Sequence, residues 1–287
     1  MRIGSEEHKE LFCRTFIDGH KPYEPAELAW PDLDEISLAR LRAIPVWTMA
    51  LEVEHSAGTM LNGYASSETD PLVRRAIELQ AFEEERHGRL LDYMVQKYAL
   101  KVNPQEIVQR PTRAAFVDFG YNECVDSFAG FGIFRLAVDA QILPDALTSL
   151  LQRILIEEAH HIVFFINWIA WDRTRRGLHG SLLQALPTLV AYLTAIVRRV
   201  KSGGDMAGGD AKRDEDGPVL DLFSDVVSGL TPAKFVRACL EENDRYMSEF
   251  DPRLLRPTFI PTLARIALAI LEWVEWLRGT NRREARA

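Results

Sequence analysis

The chain has 287 residues, 47% of them apolar and 26% charged, with 34 basic against 42 acidic side chains for a net charge of −8. That composition excludes a disordered chain, which lacks the apolar surface to offset the entropy of ordering. The acidic balance argues against nucleic acid as a partner, because phosphates select basic faces.

Helical periodicity dominates from end to end and strand signals are scarce. Residues 1–44 read as a lead-in with one short helix, 33–43, opened by Asp32. Pro45 suits the first turn of a helix reaching about Ala65. Asp70 then caps a long helix that carries Pro71 at its first position and runs to about Leu100. A longer connection, 101–112, leads to a helix over 113–139. Pro144-Asp145 opens the next helix, which ends before Gly177, a residue suited to a helix C-terminus. Short, long and short connections between these four helices are what a bundle with one crossover requires. Beyond them come an apolar helix over 181–200, a Gly/Asp/Lys-rich surface loop over 202–217, and helices over 219–229, 232–250 and 260–278. The expected organisation is a lead-in (1–44), a four-helix core (45–176) and a helical extension packed on that core (177–287).

Three widely spaced cysteines, Cys13, Cys124 and Cys239, offer neither a disulfide framework nor a Cys-x-x-Cys site. The longest apolar runs are broken by Gln184 and Pro187, or by Arg265, Glu272 and Glu275, so no membrane span is expected. The N-terminus mixes charges from the start, unlike a signal peptide. A cytoplasmic protein is the expectation.

Two segments carry the chemistry. Glu83-Glu84-Glu85-Arg86-His87 and Glu157-Glu158-Ala159-His160-His161 each place Glu-x-x-His on a long helix, with a further acid just before it. Residues three apart share a helix face, so Glu84 and His87, and likewise Glu158 and His161, present a carboxylate and an imidazole to one point. Glu158 and His161 continue the apolar face of Leu151, Ile154, Leu155, Ile162 and Phe165, whereas the shifted pair Glu157/His160 shares its face with Arg153. The first and third helices each add one acid among small or apolar neighbours: Glu54 beside Leu51, Ala57 and Leu61, and Glu123 beside Phe119, Gly120 and Ser127. Four carboxylates facing a core must be protonated, paired or metal-bound. Two divalent cations would balance their charge, and the imidazoles would complete the coordination. By contrast Glu52-x-x-His55, with Thr48, Ser56 and Thr59 on its face, reads as solvated.

The order Glu, Glu-x-x-His, Glu, Glu-x-x-His over residues 45–176 resembles the ferritin-like diiron-carboxylate superfamily. That resemblance implies an all-α fold, a ferritin-like four-helix bundle with additional C-terminal helices. It implies Glu54, Glu84, His87, Glu123, Glu158 and His161 as ligands to two iron ions, with Mn/Fe or other divalent metals as alternatives. Glu83 and Glu157 match the family's acids that hydrogen-bond the ligand imidazole on the opposite motif helix. Ser127 stands four residues after the third-helix Glu, where multicomponent hydrocarbon monooxygenases carry a Thr near the dioxygen site. Leu91 and Leu61 stand where radical-generating reductase subunits and ferritins carry a Tyr. The expected function is a non-haem dinuclear-iron oxidoreductase activating dioxygen to oxidise a small organic substrate, served by an external electron donor, with a homodimer as its expected assembly. The C-terminal helices are expected to shape a substrate pocket beside the metals. Iron oxidation and storage, or metal binding without turnover, is the alternative.

Overall fold

The computed structural model describes residues 1–44, 46–105, 107–178, 187–198 and 231–284, with side chains through 277. Pro45, the start of the 181–200 helix, the loop 202–217 and the helix 219–229 lie outside the described residues. Among the described residues every regular element is helical: α1 (Glu6–Gly19), α2 (Glu35–Ala43), α3 (Trp47–Ala65), α4 (Pro71–Tyr98), α5 (Arg113–Asp139), α6 (Asp145–Arg175), α7 (187–198), α8 (Pro232–Ser248) and α9 (Phe259–Glu284). None of the described helices is long and apolar enough to cross a membrane.

Local chemistry sets the helix ends. The Asp70 carboxylate accepts from the Leu72 and Val73 amides and Pro71 occupies the first turn, as the sequence predicts. Thr112 does the same for α5 through Ala115. Beyond the end of α6, Gly177 takes φ +70°, a left-handed conformation that costs glycine nothing. Two expectations need correction. The second helix is capped by Asp34, whose side chain accepts from the Ser37 amide, not by Asp32. Residues 1–44 also hold a further helix, α1, capped by Ser5 and acidic in its first turn, with His8, Phe12, Cys13 and Phe16 buried along one stripe.

The four long helices α3–α6 pack side by side, and their contacts show how they run. Arg113–Asp172, Ser127–Glu158 and the approach of Gly130 to Leu155 climb α5 while descending α6, so these helices are antiparallel. His55–Asp92 and Asn62–Glu85 do the same for α3 and α4. A Cβ on Gly120 would lie 2.2 Å from the Phe165 ring, so a residue without a side chain lets α5 approach α6 near Glu123. The N-terminal helix α1 lies along α6, with Phe12 against Phe164 and His8 hydrogen-bonded to Asn167 at 2.8 Å.

Two apolar clusters fill the interior. One gathers α1, the far half of α3, the start of α4, α5, α6 and the helices α7–α9. The other joins Leu41, Leu51, Leu90, Leu91, Met94, Leu147 and Leu151 at the opposite end of the long helices. Between them, along α3, α4 and α6, lies a layer of buried acids and histidines. At the C-terminal end, Gly132 meets Cys239 of α8, and α9 pairs with α8 through Arg265 and Asp244. In α7, Tyr192 is buried between Tyr121 of α5 and Phe259 of α9. Leu189, Val190, Leu193 and Val197 are exposed, so the described part of α7 docks through the stripe of Tyr192 and Ala195.

Candidate metal centre

Each of the four long helices delivers acids or histidines to the layer. Glu54 sits one turn past Leu51 and one before Ala57, both buried, so the α3 face that packs inward carries it there. Glu84 and His87 follow buried Ala81 and precede Leu90 and Leu91 on α4. Glu123 and Ser127 lie one turn apart on α5, and Glu158 and His161 lie on the inner face of α6; all are buried. The two imidazole rings stand 5.7 Å apart.

The geometry sorts these residues into two overlapping sets. Donor atoms of Glu54, Glu84, His87 and Glu158 all lie within 4.8 Å of one another, and so do those of Glu84, Glu123, Glu158 and His161. A divalent ion with bonds of about 2.0–2.2 Å holds its donors within about 4.4 Å of one another, so small inward movements suffice for binding. Glu84 and Glu158 belong to both sets. The buried Glu/His groups can therefore hold metal.

Orphaned atoms test that fit. Glu54 Oε2, Glu84 Oε1, His87 Nδ1 and His161 Nδ1 are all buried without a hydrogen-bond partner. His161 Nδ1 lies 3.0 Å from Glu84 Oε1, and His87 Nδ1 lies 3.3 Å from Glu158 Oε1 and 3.4 Å from Glu54 Oε2. Buried polar atoms normally find partners, and these face one another across the space where a cation would satisfy them together. The other nitrogen of each ring is engaged crosswise. His87 on α4 donates through Nε2 to Glu157 Oε2 on α6 at 2.8 Å, and His161 on α6 donates through Nε2 to Glu83 Oε2 on α4 at 2.9 Å. A hydrogen at Nε2 leaves the lone pair at Nδ1, which is the atom aimed at the cluster.

Electrostatics without metal point the same way. Burial, joined by its acidic neighbours, pushes the Glu54 carboxyl up to about 8 and the Glu123 carboxyl well above its ordinary range. Burial also acts on Glu158, yet the His161 and His87 imidazoles close beside it outweigh burial and hold that carboxyl low. For Glu83 the hydrogen bonds from His161 and His20 outweigh burial and bring it to about 2. Both imidazoles are raised well above their usual value despite burial: His87 by its hydrogen bond to Glu157 and the nearby carboxylates of Glu158 and Glu54, and His161 by the nearby carboxylates of Glu84 and Glu158 and its hydrogen bond to Glu83. The layer collects positive charge as protons; metal must displace them to bind.

Each sequence-predicted residue has a definite place. Glu54, Glu84, His87, Glu123, Glu158 and His161 converge, and Glu83 and Glu157 back the imidazoles. Ser127 lies beside them, its hydroxyl 3.5 Å from Glu158 Oε2. Glu52 instead accepts from the Gln105 amide in the surface connection, and His55 pairs with Asp92 outside. His160 turns away too, donating through Nδ1 to the Ile156 carbonyl with its ring against Phe250.

Several functional neighbours escape the motif reading. Gln80 donates to Glu123 at 3.4 Å. Arg86, fully buried, donates to Glu157 Oε1 at 2.8 Å beneath the Tyr23 ring at 3.9 Å. His20 reaches Glu83 Oε1 at 2.5 Å. An open pocket of ≈ 420 Å³, lined in part by His20, Glu83, Glu157, Arg245 and Phe250, lies against the outer acids. Residues following from α8 therefore help shape a pocket, but on the far side of the imidazoles from the ligand cluster. Comparison with family models, curated proteins and solved structures finds no match for this chain.

Proposed function

We propose that the chain is a ferritin-like diiron-carboxylate protein, a non-haem dinuclear-iron oxidoreductase that uses dioxygen to oxidise a small organic substrate. The observation that carries this reading is the pair of donor sets sharing Glu84 and Glu158, each completed by one imidazole whose Nδ1 has no other partner. Four long helices, with one acid or Glu-x-x-His contributed by each and the longest connection between α4 and α5, support this reading.

The donor chemistry favours iron or manganese: carboxylates suit hard oxygen-loving ions and imidazole suits iron. Glu54, Glu84, His87 and Glu158 would hold one ion, and Glu84, Glu123, Glu158 and His161 the other. Four carboxylates then balance two divalent charges. When bound, the ions supply reversible one-electron chemistry toward dioxygen, with an external donor restoring the reduced state.

The protein's own groups prepare that chemistry. Glu83 and Glu157 fix both imidazole tautomers. Ser127, its hydroxyl 3.5 Å from Glu158 Oε2, stands beside a carboxylate common to both sets. Burial of the whole layer keeps bulk water from the centre, which strengthens every charge interaction and limits side reactions.

The test is anaerobic loading with Fe(II) followed by air. The expected result is two Fe(II) per chain, oxidised together in one fast phase, with slower oxidation when Ser127 is changed to Ala. Uptake of many irons per chain would mean storage and overturn the oxidoreductase reading. Bound iron that air leaves ferrous would overturn it too.

A further inference from the structure

The N-terminal chain crosses the outside of the metal layer. Phe16 belongs to one apolar cluster, and its ring stands edge-on to His161 at 5.8 Å. Tyr23 packs against the other cluster. The segment from His20 to Tyr23 meets the two outer acids and Arg86. His20 Nδ1 donates to Glu83 Oε1, the Lys21 carbonyl accepts from Arg86 at 3.2 Å, and the Tyr23 hydroxyl lies 3.5 Å from Glu157 Oε2.

We propose that His20 is a positioning residue of the metal centre, acting on His161 through Glu83. This rests on the metal-binding reading above. Glu83 is buried, and its two oxygens divide their work: Oε2 receives the His161 Nε2–H, while Oε1 receives His20. Arg86 stands 3.7 Å from the same Oε1, too far for a hydrogen bond but near enough to compete for the carboxylate. Without the His20 donor, Glu83 swings toward Arg86 and its hold on His161 lengthens. The imidazole then loses the anchor that aims Nδ1 at the cluster. Groups that orient a ligand histidine in this way typically alter metal affinity ten- to a hundredfold when removed.

The assignment is specific to one of the two donor sets. His87 is braced by Glu157 and Arg86, neither of which His20 touches at hydrogen-bond distance. Because His20 lines an open pocket rather than the apolar core, replacing it opens no sealed cavity.

The experiment titrates the metal-free full chain with Co(II) under nitrogen, reading each equivalent by its visible d–d bands. His20→Gln keeps a donor of similar reach, whereas His20→Phe keeps bulk without one; circular dichroism confirms helix content. Wild type and His20→Gln are expected to bind two equivalents alike. In His20→Phe one equivalent weakens ten- to a hundredfold with altered bands, and the other is unchanged. A packing role would instead make Phe the milder change. Two unaltered equivalents in His20→Phe, or equal weakening in both variants, would overturn this inference and leave the metal-binding reading intact. A wild-type chain that binds no Co(II) would overturn both.

Discussion

His87 and His161 occupy equivalent places in two nearly repeated motifs, yet the structure braces them differently. Behind His87, Glu157 is held by Arg86, a permanently charged guanidinium fully buried beneath Tyr23. Behind His161, Glu83 is held by His20, a partly exposed side chain borrowed from outside the long helices. The divergence traces to one motif position. Where α4 has Arg86, α6 has His160, which turns outward to its own backbone and Phe250. A symmetric ligand set can therefore stand on asymmetric supports, and a support drawn from a distant segment leaves no trace in motif spacing.

The severest challenge to the comparison removes a residue common to both halves. Glu84→Ala should abolish uptake of both metal equivalents while helix content persists, whereas His161→Ala should spare the equivalent on the His87 side. Equilibrium dialysis against Co(II) or Fe(II) decides it; a Glu84→Ala chain holding two equivalents at unchanged affinity would mean that the donor sets are wrongly drawn.

Arg86→Met addresses the buried brace alone. It leaves Glu157 with His87 but without its guanidinium partner, and breaking one partner of a buried ion pair costs up to about 3–5 kcal/mol. The urea midpoint of the metal-free chain should fall accordingly, far more than for His20→Gln. Equal, small effects of both changes would erase the distinction between the two supports.

The smallest expected effect separates anchoring of α1 from bracing by His20. His8 accepts the Gly4 amide at Nδ1 and donates from Nε2 to Asn167, an arrangement that only the neutral ring satisfies. Burial lowers its pKa from 6.5. The unfolded chain therefore binds more protons below about pH 6.5, so stability declines as pH falls through that value and levels off below the folded pKa. Denaturation midpoints for wild type and His8→Gln at pH about 7.5 and about 5.5 measure the difference. Identical pH slopes in the two proteins would remove His8 from the account.

Much of this architecture is legible in the sequence where one strong local signal dominates. Asp70-Pro71 announces the start of α4, Gly177 follows the end of α6, and the doubled Glu-x-x-His with Glu54 and Glu123 marks the residues that converge. The misses have physical causes. In 1–44, Asp32 and Asp34 are equally good caps by composition, but Asp32 accepts from Lys97 of α4 while Asp34 accepts the Ser37 amide. Helix α1 was readable from Ser5, its first-turn acids and the Phe12/Phe16 stripe, but its short stripe competes with a strongly charged background. His20, Tyr23 and Arg86 depend on contacts between segments remote in sequence, for which spacing carries no information. Packing of α7 by one stripe was equally hidden, since apolar composition alone does not say which side finds a neighbour.

The acid and histidine layer also has a mechanical consequence. Along α3, α4 and α6 it parts the apolar interior into two clusters. There the apolar packing is interrupted, so continuity across the layer rests on the unbroken helices, on α5, which carries Phe119 and Phe128 to either side of Glu123, and on the N-terminal strap from Phe16 to Tyr23. In the metal-free chain the layer is therefore where local opening of one end ahead of the other is expected. Under the proposed reading, metal held in the layer would tie acids of four helices together and raise the cooperativity of unfolding.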